Sequence, residues 1–390
     1  MRQRITKLFY EFTGSEKNSG LVLIVCTVIS LMLANSSFSE SYIHFWHQSF
    51  SLSFGNLDLN YPLEVWINDG LMTIFFLLVG LEIERELYEG ELHPIKNAIA
   101  PIIAAVGGML MPALIYIAFN FNSPQIKGFG IPMATDIAFS LAILSLVSNR
   151  VPVSLKVLLT ALAIIDDLGS ILVIALFYGK NIQWWYLLSS LGIYIVLLIF
   201  NRLKIYRLTP YILLGLPMWY CMLKSGIHAT LSGVLLAFAL PFNYRGEKNP
   251  SIRLQEMLHL PVGFIILPLF TLANTAINIK TEYINSLLDT HALGIGLGLF
   301  FGKPLGIFLS IYLLVKLKII QQYENVGWYK IWAIGVVAGI GFTMSIFITH
   351  LAFNDEVLIQ SSKMMILIGS ALSGITAYVM FVLSKKNITD

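Results

Sequence analysis

ALAIIDDLGS, at residues 161–170, places two adjacent aspartates near the middle of an apolar run that extends from about Val153 to Tyr178. A charge at the centre of a membrane helix costs roughly 2.5–3.5 kcal/mol on insertion scales, so Asp166 and Asp167 need a functional reason to be there. An apolar run of this length can span a lipid bilayer as a helix. The stretch therefore predicts a transmembrane helix that carries a functional pair of carboxylates.

The composition of the whole chain is typical of a membrane protein. Hydrophobic residues make up 57% of the 390 residues and charged residues only 12%, against roughly 25% charged residues in a soluble domain. These charges are too few to cover a large soluble α/β protein, which is the alternative fold class. The net charge of +3 is spread over the loops, so no nucleic-acid partner is expected.

Apolar runs recur along the chain and predict an all-α polytopic membrane protein with twelve transmembrane helices in one domain, residues 1–390. The first run is interpreted as an uncleaved helix and not as a signal peptide, because it exceeds an ordinary signal core and no clear cleavage site follows. The predicted spans are 12–34, 62–83, 98–119, 126–147, 153–178, 184–200, 206–221, 225–240, 254–276, 292–315, 328–350 and 361–384.

The distribution of basic residues predicts the orientation of these spans. Lys and Arg are enriched in cytoplasmic loops, and 18 of the 25 fall in one alternating set of loops while 5 fall in the other. Both termini are therefore expected in the cytoplasm. The sizeable external loop, 36–61, contains a partly alternating segment around Gly55 and Asn56, which favours a β-hairpin at about 45–58. A plain surface loop is the alternative.

Spans four and eleven each contain residues that weaken a helix, followed by a threonine. Pro132 precedes Thr135 in one, and Gly339 and Gly341 precede Thr343 in the other. Both helices are expected to break in mid-membrane, where irregular backbone survives only if packed in protein or lining a wet cavity. The breaks are seven spans apart, an odd number, which predicts inverted-topology repeats and favours a secondary transporter. The predicted repeats are spans 3–5 and 10–12, at about 95–178 and 291–385.

Four ionisable residues lie near mid-membrane, namely Asp136, Asp166, Asp167 and Lys303. Adjacent helical residues point about 100° apart, so the paired aspartates cannot face one spot equally. One can line a water-filled funnel while the other meets Lys303. Alternatively, Asp136 and Lys303 act only electrostatically, by neutralising the dipoles of the broken helices.

The oxygens of this cluster suit a small hard cation. Burial disfavours the charged form of a carboxylate and a nearby cation favours it, so protons and Na⁺ can compete for one site near neutral pH. Asp167, Asp166, Thr135 and backbone carbonyls at the break offer the oxygen ligands that hard cations prefer. If the loaded site opens to alternate sides, this competition yields exchange. No cofactor is expected beyond the transported ions.

At these residues the sequence resembles the bacterial NhaA-type sodium/proton antiporters, and the resemblance covers essentially the whole chain. It implies a secondary transporter, not an enzyme, in the bacterial cytoplasmic (inner) membrane. The matching stretches are FFLLVGLEIERELYEGEL at 75–92, GFGIPMATDIAFSLAIL at 128–144, ALAIIDDLGSILVIALFY at 161–178, SGIHATLSGVLLA at 225–237, GLFFGKPLGIF at 298–308 and GIGFTMSIFI at 339–348.

The resemblance implies electrogenic export of Na⁺ or Li⁺ in exchange for external protons, with activation at alkaline pH. It implies that Asp167 is the principal cation ligand and that Asp166 contributes and forms a salt bridge to Lys303. Thr135 and Asp136 would then belong to two crossing broken helices beside the site. The external hairpin would pair two protomers in a homodimer.

In this family the pH response involves the cytoplasmic ends of the second and ninth spans. The corresponding residues here include Glu82, Arg253 and Glu256, for which an ordinary interfacial charge is the alternative role. His228 is a further candidate sensor, because histidine changes charge in the physiological pH range. A structural hydrogen-bond donor at a helix start is its alternative role.

Three other functions fit the residues less well. An intramembrane aspartyl protease needs two facing acids that share a proton. Asp166 and Asp167 are badly angled for that, and although Asp136 with Asp167 could do it, the G-x-G-D context of that class is absent. A passive cation channel needs neither a coupling lysine nor an inverted broken repeat. A symporter, or a proton exchanger for another cation, is a related alternative.

Overall fold

The structure is a computed structural model. It describes residues 2–54, 57–90, 95–179, 181–242, 249–321 and 326–384. For residues 2–17, 52–58 and 95–97 it describes at most the backbone and not the side chains. The regular secondary structure of the described residues is helical apart from one two-stranded sheet.

Eighteen α-helices lie in the described residues, several of them joined end to end through 3₁₀ or π-helical turns. They are α1 (Arg2–Ala34), α2 (Ser39–His47), α3 (Leu63–Val65), α4 (Met72–Tyr88), α5 (Ile95–Asn120), α6 (Ile137–Leu146), α7 (Val153–Phe177), α8 (Trp184–Arg202), α9 (Leu208–Lys224), α10 (Leu231–Ala239), α11 (Pro250–Pro261), α12 (Leu267–Asn274), α13 (Thr281–Asn285), α14 (Thr290–Leu297), α15 (Lys303–Lys316), α16 (Trp328–Ala338), α17 (Phe342–Ala352) and α18 (Glu356–Leu383). Strands β1 (Ser49–Phe54) and β2 (Leu57–Pro62) lie between α2 and α3.

Among the described residues, 7 helices are long and apolar enough to cross a membrane, and the number rises to 10 if each of three bent helix pairs is one span. The count of twelve spans stays a prediction. The twelve predicted spans included 206–221, which corresponds to α9, and 225–240, which corresponds to α10. Helix α9 has 17 residues and α10 has only 9. A helix as short as α10 is about 14 Å long, less than half of the roughly 30 Å hydrocarbon core.

The chain divides into two compact units. Unit 1 consists of Met1–Val25, Glu91–Ser170 and Ile279–Asp390, and unit 2 consists of Cys26–Gly90 and Ile171–Asn278. The assignment of the whole chain to a single transmembrane domain stays a prediction.

Unit 1 contains the same order of elements twice. The long helix α5 is followed by a 3₁₀ helix (Pro124–Met133) bent by 44° against α6, and then by α7 as far as Ser170. A second long helix, Thr290–Lys316, is followed by α16, bent by 47° against α17, and then by α18. This is the order expected of the predicted repeats, whose inverted orientation stays a prediction.

The first half of the first bent pair is a 3₁₀ helix because its sequence, PQIKGFGIPM, is poor in α-helix formers. Pro132 lacks the N–H that an α-helix needs, and glycines add conformational freedom. The Ser123 hydroxyl caps the start of the segment by accepting a hydrogen bond from Gln125 N at 3.1 Å. After Met133 the chain runs without helical hydrogen bonds through residues 134–136.

Within unit 1, α5 and α15 pack with their backbones almost in contact. A Cβ atom on Gly306 would lie 2.0 Å from the carbonyl oxygen of Gly107. Small residues allow membrane helices to approach this closely. Lys303 begins α15 directly after a π-helical turn (Gly298–Gly302), so the tight packing of the helix fixes where the lysine side chain starts.

Within unit 2, the short helix α10 packs against α4 through the same kind of contact. A Cβ atom on Gly233 would lie 2.2 Å from the carbonyl oxygen of Thr73, and one on Gly80 would lie 2.6 Å from Cβ of Ala237. The small residues therefore seat α10 on α4, although α10 is too short to span a bilayer alone.

The sheet belongs to unit 2, and its strands β1 and β2 pair antiparallel with Ser49 opposite Pro62. It occupies residues 49–62, whereas the predicted hairpin covered 45–58, because residues 45–47 end the helix α2. The two turn residues between the strands lie outside the described residues. In the part of the chain that the structure describes, no third strand pairs with either edge.

Candidate functional site

Helix α7 carries both aspartates of ALAIIDDLGS into the interior. The side chain of Asp166 is fully buried and that of Asp167 is 1% exposed. Two acids at this depth in an apolar helix need compensation from cations, dipoles or hydrogen bonds. The surrounding elements of unit 1 supply a cation and a hydrogen-bond donor.

Lys303 and Thr135 supply the partners of Asp166. The Lys303 Nζ atom lies 2.9 Å from Asp166 Oδ2, and both side chains are fully buried. The Thr135 hydroxyl lies 2.7 Å from the same oxygen. Asp167 lies within electrostatic range of the Lys303 ammonium group. Among the described residues, no hydrogen-bond donor reaches Asp166 Oδ1.

The same lysine and threonine also contact the C-terminal ends of two half-helices. Lys303 Nζ donates to the carbonyl of Met133, the last residue of the 3₁₀ helix. Thr135 Oγ1 lies 3.0 Å from the carbonyl oxygen of Ala338, the last residue of α16. Helix C-termini carry partial negative charge, so the lysine compensates both a carboxylate and a helix end.

Asp136 caps the N-terminal ends of the other two half-helices. Its Oδ1 accepts from Phe139 N at 2.9 Å, in the first turn of α6. Its Oδ2 accepts from Thr343 N at 3.0 Å, in the first turn of α17, and from the Thr343 hydroxyl. Helix N-termini carry partial positive charge. One buried carboxylate thus neutralises two helix ends.

The two chain breaks also exchange hydrogen bonds with each other. Asp136 N donates to the carbonyl of Ile340 at 2.7 Å, and the Ser345 hydroxyl donates to the carbonyl of Ile131 at 2.7 Å. Irregular backbone is tolerated at membrane depth only when its polar groups are satisfied inside the protein. Each of the two bent segments donates a hydrogen bond to the other, which satisfies the carbonyls of Ile340 and Ile131.

We expect Asp136→Asn to destabilise the protein by about 2–4 kcal/mol, since it removes a charge that serves two helix N-termini and at least one of three accepted hydrogen bonds. The measurement is thermal unfolding of the purified protein in detergent, where the melting temperature should fall by several degrees.

Asp355→Asn is the matched control for that experiment. Asp355 is exposed and caps only α18, where its Oδ1 accepts from Val357 N at 2.9 Å and from Leu358 N at 3.2 Å. Loss of a single exposed cap costs about 1 kcal/mol or less when asparagine replaces aspartate. Equal effects of the two substitutions would contradict the double-capping role of Asp136.

The four residues predicted to sense pH all lie in unit 2. Glu82 is half-buried on α4, and Arg253 and Glu256 are exposed on α11. His228 Nε2 lies 3.0 Å from the carbonyl oxygen of Tyr178. A carbonyl can only accept, so this nitrogen is the donor, as in the structural role considered for His228. Sensing by the four residues stays a prediction.

The sequence reasoning missed a buried contact in unit 2. The Ser251 hydroxyl donates to Glu84 Oε2 at 2.6 Å, and Glu84 is only 5% exposed. This hydrogen bond joins α4 to α11. The spacing from Gly80 to Glu84 was the available signal, since residues four apart share a helix face and glycine marks the face of close approach.

The chemistry of the buried cluster in unit 1 follows from its oxygens. In the described chain, no group of three or more His, Cys, Asp or Glu side chains is arranged to hold a metal ion. The oxygens that the cluster does offer are those of the two α7 carboxylates, of the Thr135 hydroxyl and of backbone carbonyls. Hard cations prefer oxygen ligands.

Comparison with known proteins gives consistent matches over almost the whole chain. The family model described as Na⁺/H⁺ antiporter 1 matches residues 10–381. The Na⁺/H⁺ antiporter NhaA of Flavobacterium psychrophilum is 56% identical over 375 residues, which cover 96% of this chain and 96% of that protein. The Na⁺/H⁺ antiporter NhaA 1 of Flavobacterium johnsoniae is 53% identical, with 96% and 97% covered. The Na⁺/H⁺ antiporter NhaA of Dechloromonas aromatica is 51% identical, with 95% and 94% covered.

Proposed function

The chain belongs to the Na⁺/H⁺ antiporter 1 family, and on this premise we propose how its buried charges perform the exchange. The protein is a multi-pass membrane transporter that exchanges sodium for protons, and it is not an enzyme. The finer proposal is that it extrudes Na⁺ or Li⁺ electrogenically by alternating access. We place it in the bacterial cytoplasmic membrane with both termini in the cytoplasm, in accordance with the distribution of Lys and Arg.

The observation that carries the proposal is the fully buried ion pair of Asp166 and Lys303. Asp167 directly follows Asp166 in the chain. Asp167 is proposed as the principal cation ligand. Asp166 contributes its Oδ1, which no donor reaches among the described residues, while Oδ2 stays paired with the lysine. Thr135 and Asp136 hold the two breaks beside the site.

Competition between ions at these carboxylates produces the exchange. A cation that binds Asp167 and Asp166 from the cytoplasmic side displaces the protons that they hold. When the site opens to the outside, the cation leaves and external protons bind. More than one proton per cation must bind for net positive charge to move inward, and two neighbouring acids next to a lysine can couple their proton release in this way.

We assign the activation at alkaline pH to Glu82, Arg253, Glu256 and His228. The first three lie on helices α4 and α11, which the hydrogen bond of Ser251 to Glu84 joins. A movement of either helix that follows a change in charge at its end is therefore transmitted to the other helix through this hydrogen bond.

The two-stranded sheet supports a homodimer. Both of its outer edges lack a partner strand in the described residues, and an isolated hairpin is marginally stable in water. Pairing with the same sheet of a second copy would satisfy one edge in each protomer. Light scattering of the purified protein should give the mass of a dimer, and a variant with β1 and β2 replaced by a short linker should give that of a monomer.

The function is tested in proteoliposomes loaded with acid. On addition of external NaCl or LiCl, a dye inside the vesicles should report loss of protons, at a rate that rises with pH. If more than one proton leaves per cation, the interior becomes negative and slows the exchange. Valinomycin with equal K⁺ on both sides should therefore accelerate it.

Two outcomes would contradict the proposal. The absence of any response to Na⁺ or Li⁺ would refute the exchange itself. An initial rate that valinomycin leaves unchanged would refute the electrogenic exchange. A passive channel is distinguished in the same assay. Its sodium-dependent proton signal arises from the membrane potential that Na⁺ entry creates, so this part of the signal disappears when the potential is held at zero.

A further inference from the structure

Ser170 lies on α7, one turn after the paired aspartates. Around a helix it points about 40° from Asp166 and about 60° from Asp167, so it lies between their two directions. Helical side chains also lean towards the N-terminus and cover the preceding turn. The Ser170 side chain therefore leans towards the two carboxylates. It is 1% exposed.

The hydroxyl of Ser170 has no hydrogen-bond partner among the described residues. Hydroxyls in apolar helices ordinarily bond the carbonyl four residues earlier. Thr160 of the same helix does so with Lys156 at 3.1 Å, and Ser189 of α8 does so with Trp185 at 2.8 Å. Ser170 departs from that pattern, although a buried hydroxyl without a partner is costly.

We propose that Ser170 is a further oxygen ligand of the transported cation and a determinant of the choice between Na⁺ and Li⁺. The inference rests on the proposed function, in which Asp167 and Asp166 bind the ion. A serine hydroxyl offers two lone pairs, and hard cations take oxygen ligands. Its position places it on the C-terminal side of the carboxylates, within one turn of the same helix.

A neutral ligand acts differently from the aspartates. It adds one oxygen to the coordination shell without changing the charge of the site, so it affects cation affinity and leaves the proton competition intact. Na⁺ is larger than Li⁺ and accommodates more ligands. Loss of one oxygen should therefore weaken Na⁺ binding more than Li⁺ binding.

The test uses the full-length protein in proteoliposomes, with NaCl and LiCl titrated separately. Ser170→Ala should raise the KM for Na⁺ about three- to tenfold, raise that for Li⁺ less, and leave the maximal rate nearly unchanged. Ser170→Thr keeps the hydroxyl and should retain the wild-type ratio of the two KM values. Ser170→Cys keeps the size but offers a soft sulfur, and should behave like the alanine variant.

Ser190→Ala is the matched control. Ser190 is also a fully buried serine in an apolar helix, but its hydroxyl donates to the carbonyl of Met218 at 3.3 Å. Its removal should leave both KM values unchanged. Calorimetric titration of the detergent-purified proteins with NaCl gives a second readout of Na⁺ affinity that does not depend on transport.

An unchanged Na⁺-to-Li⁺ ratio in Ser170→Ala, with the maximal rate reduced for both ions, would overturn the inference and assign Ser170 a packing role. So would a threonine variant that loses Na⁺ affinity as alanine does. If alanine prevents folding, the cysteine variant decides by the same criteria. Failure of the proposed function is distinct, because the wild type would then show no response to either ion.

Discussion

Proteoliposomes that carry Asp167→Asn will show no sodium-dependent proton movement above that of empty vesicles. Asparagine keeps the size of the buried side chain but removes its charge and its ability to carry a proton. Loss of one charge from a buried pair costs about 2–5 kcal/mol, which weakens cation binding about thirtyfold to several thousandfold. Because an amide cannot exchange a proton for a cation, the coupling is lost even at saturating sodium.

The measurement is the initial rate of internal pH change after NaCl is added at several pH values, beside the wild type. Asp289→Asn is a suitable control, since Asp289 is exposed in the loop before α14 and its side chain makes no cap hydrogen bond. Its exchange rate should equal that of the wild type. Sodium-dependent proton movement that survives in Asp167→Asn would refute the assignment of this residue as the principal ligand.

Lys303→Met should destabilise the protein by about 3–5 kcal/mol, because it leaves Asp166 as a buried carboxylate without its cation. The carbonyl of Met133 loses its donor at the same time. Thermal unfolding in detergent should show this as a large fall in melting temperature. Exchange should also fall, since the lysine no longer balances the charge of the site.

The double variant Lys303→Met, Asp166→Asn separates the ion pair from simple packing. Removing the second charge should restore much of the lost stability, because a neutral pair replaces an uncompensated carboxylate. Exchange should not recover with it, because Asp166 has lost its charge. Lys280→Met, at an exposed lysine, should leave the melting temperature unchanged. A double variant as unstable as Lys303→Met would show that the ion pair is not the source of the loss.

The sequence predicted well the helices that are marked by a long uninterrupted run of apolar residues. The predicted span 153–178 corresponds to α7, Val153–Phe177, because a long apolar run has no other stable conformation in a bilayer. The family resemblance is confirmed by the match over residues 10–381. In contrast, the predicted span 225–240 extends beyond α10, Leu231–Ala239, because residues 225–230 form turns and bends before the helix begins.

For the candidate site, the sequence revealed the charges and Thr135, but it did not reveal which carbonyl meets the lysine or that Ser170 lies beside the carboxylates. Asp136, Asp166 and Lys303 stand out because a charge in an apolar run is expensive wherever it finally lies. The carbonyl of Met133 gives no such signal, since every residue has a carbonyl and only the chain break exposes this one to the lysine. Ser170 gives no signal in the sequence either, because serine is common in membrane helices. Only the structure shows that its hydroxyl lacks the usual hydrogen bond to a backbone carbonyl.

The double cap at Asp136 has a consequence for the biogenesis of the protein. Its partner Thr343 is 207 residues further along the chain. A ribosome that adds about 5–20 residues per second needs roughly 10–40 s to synthesise that interval. Throughout it, the first break lies among nascent helices without the Thr343 donors or the carbonyl of Ile340. Whatever holds the growing chain during insertion must therefore shelter an incomplete polar centre until about the last eighth of the polypeptide emerges.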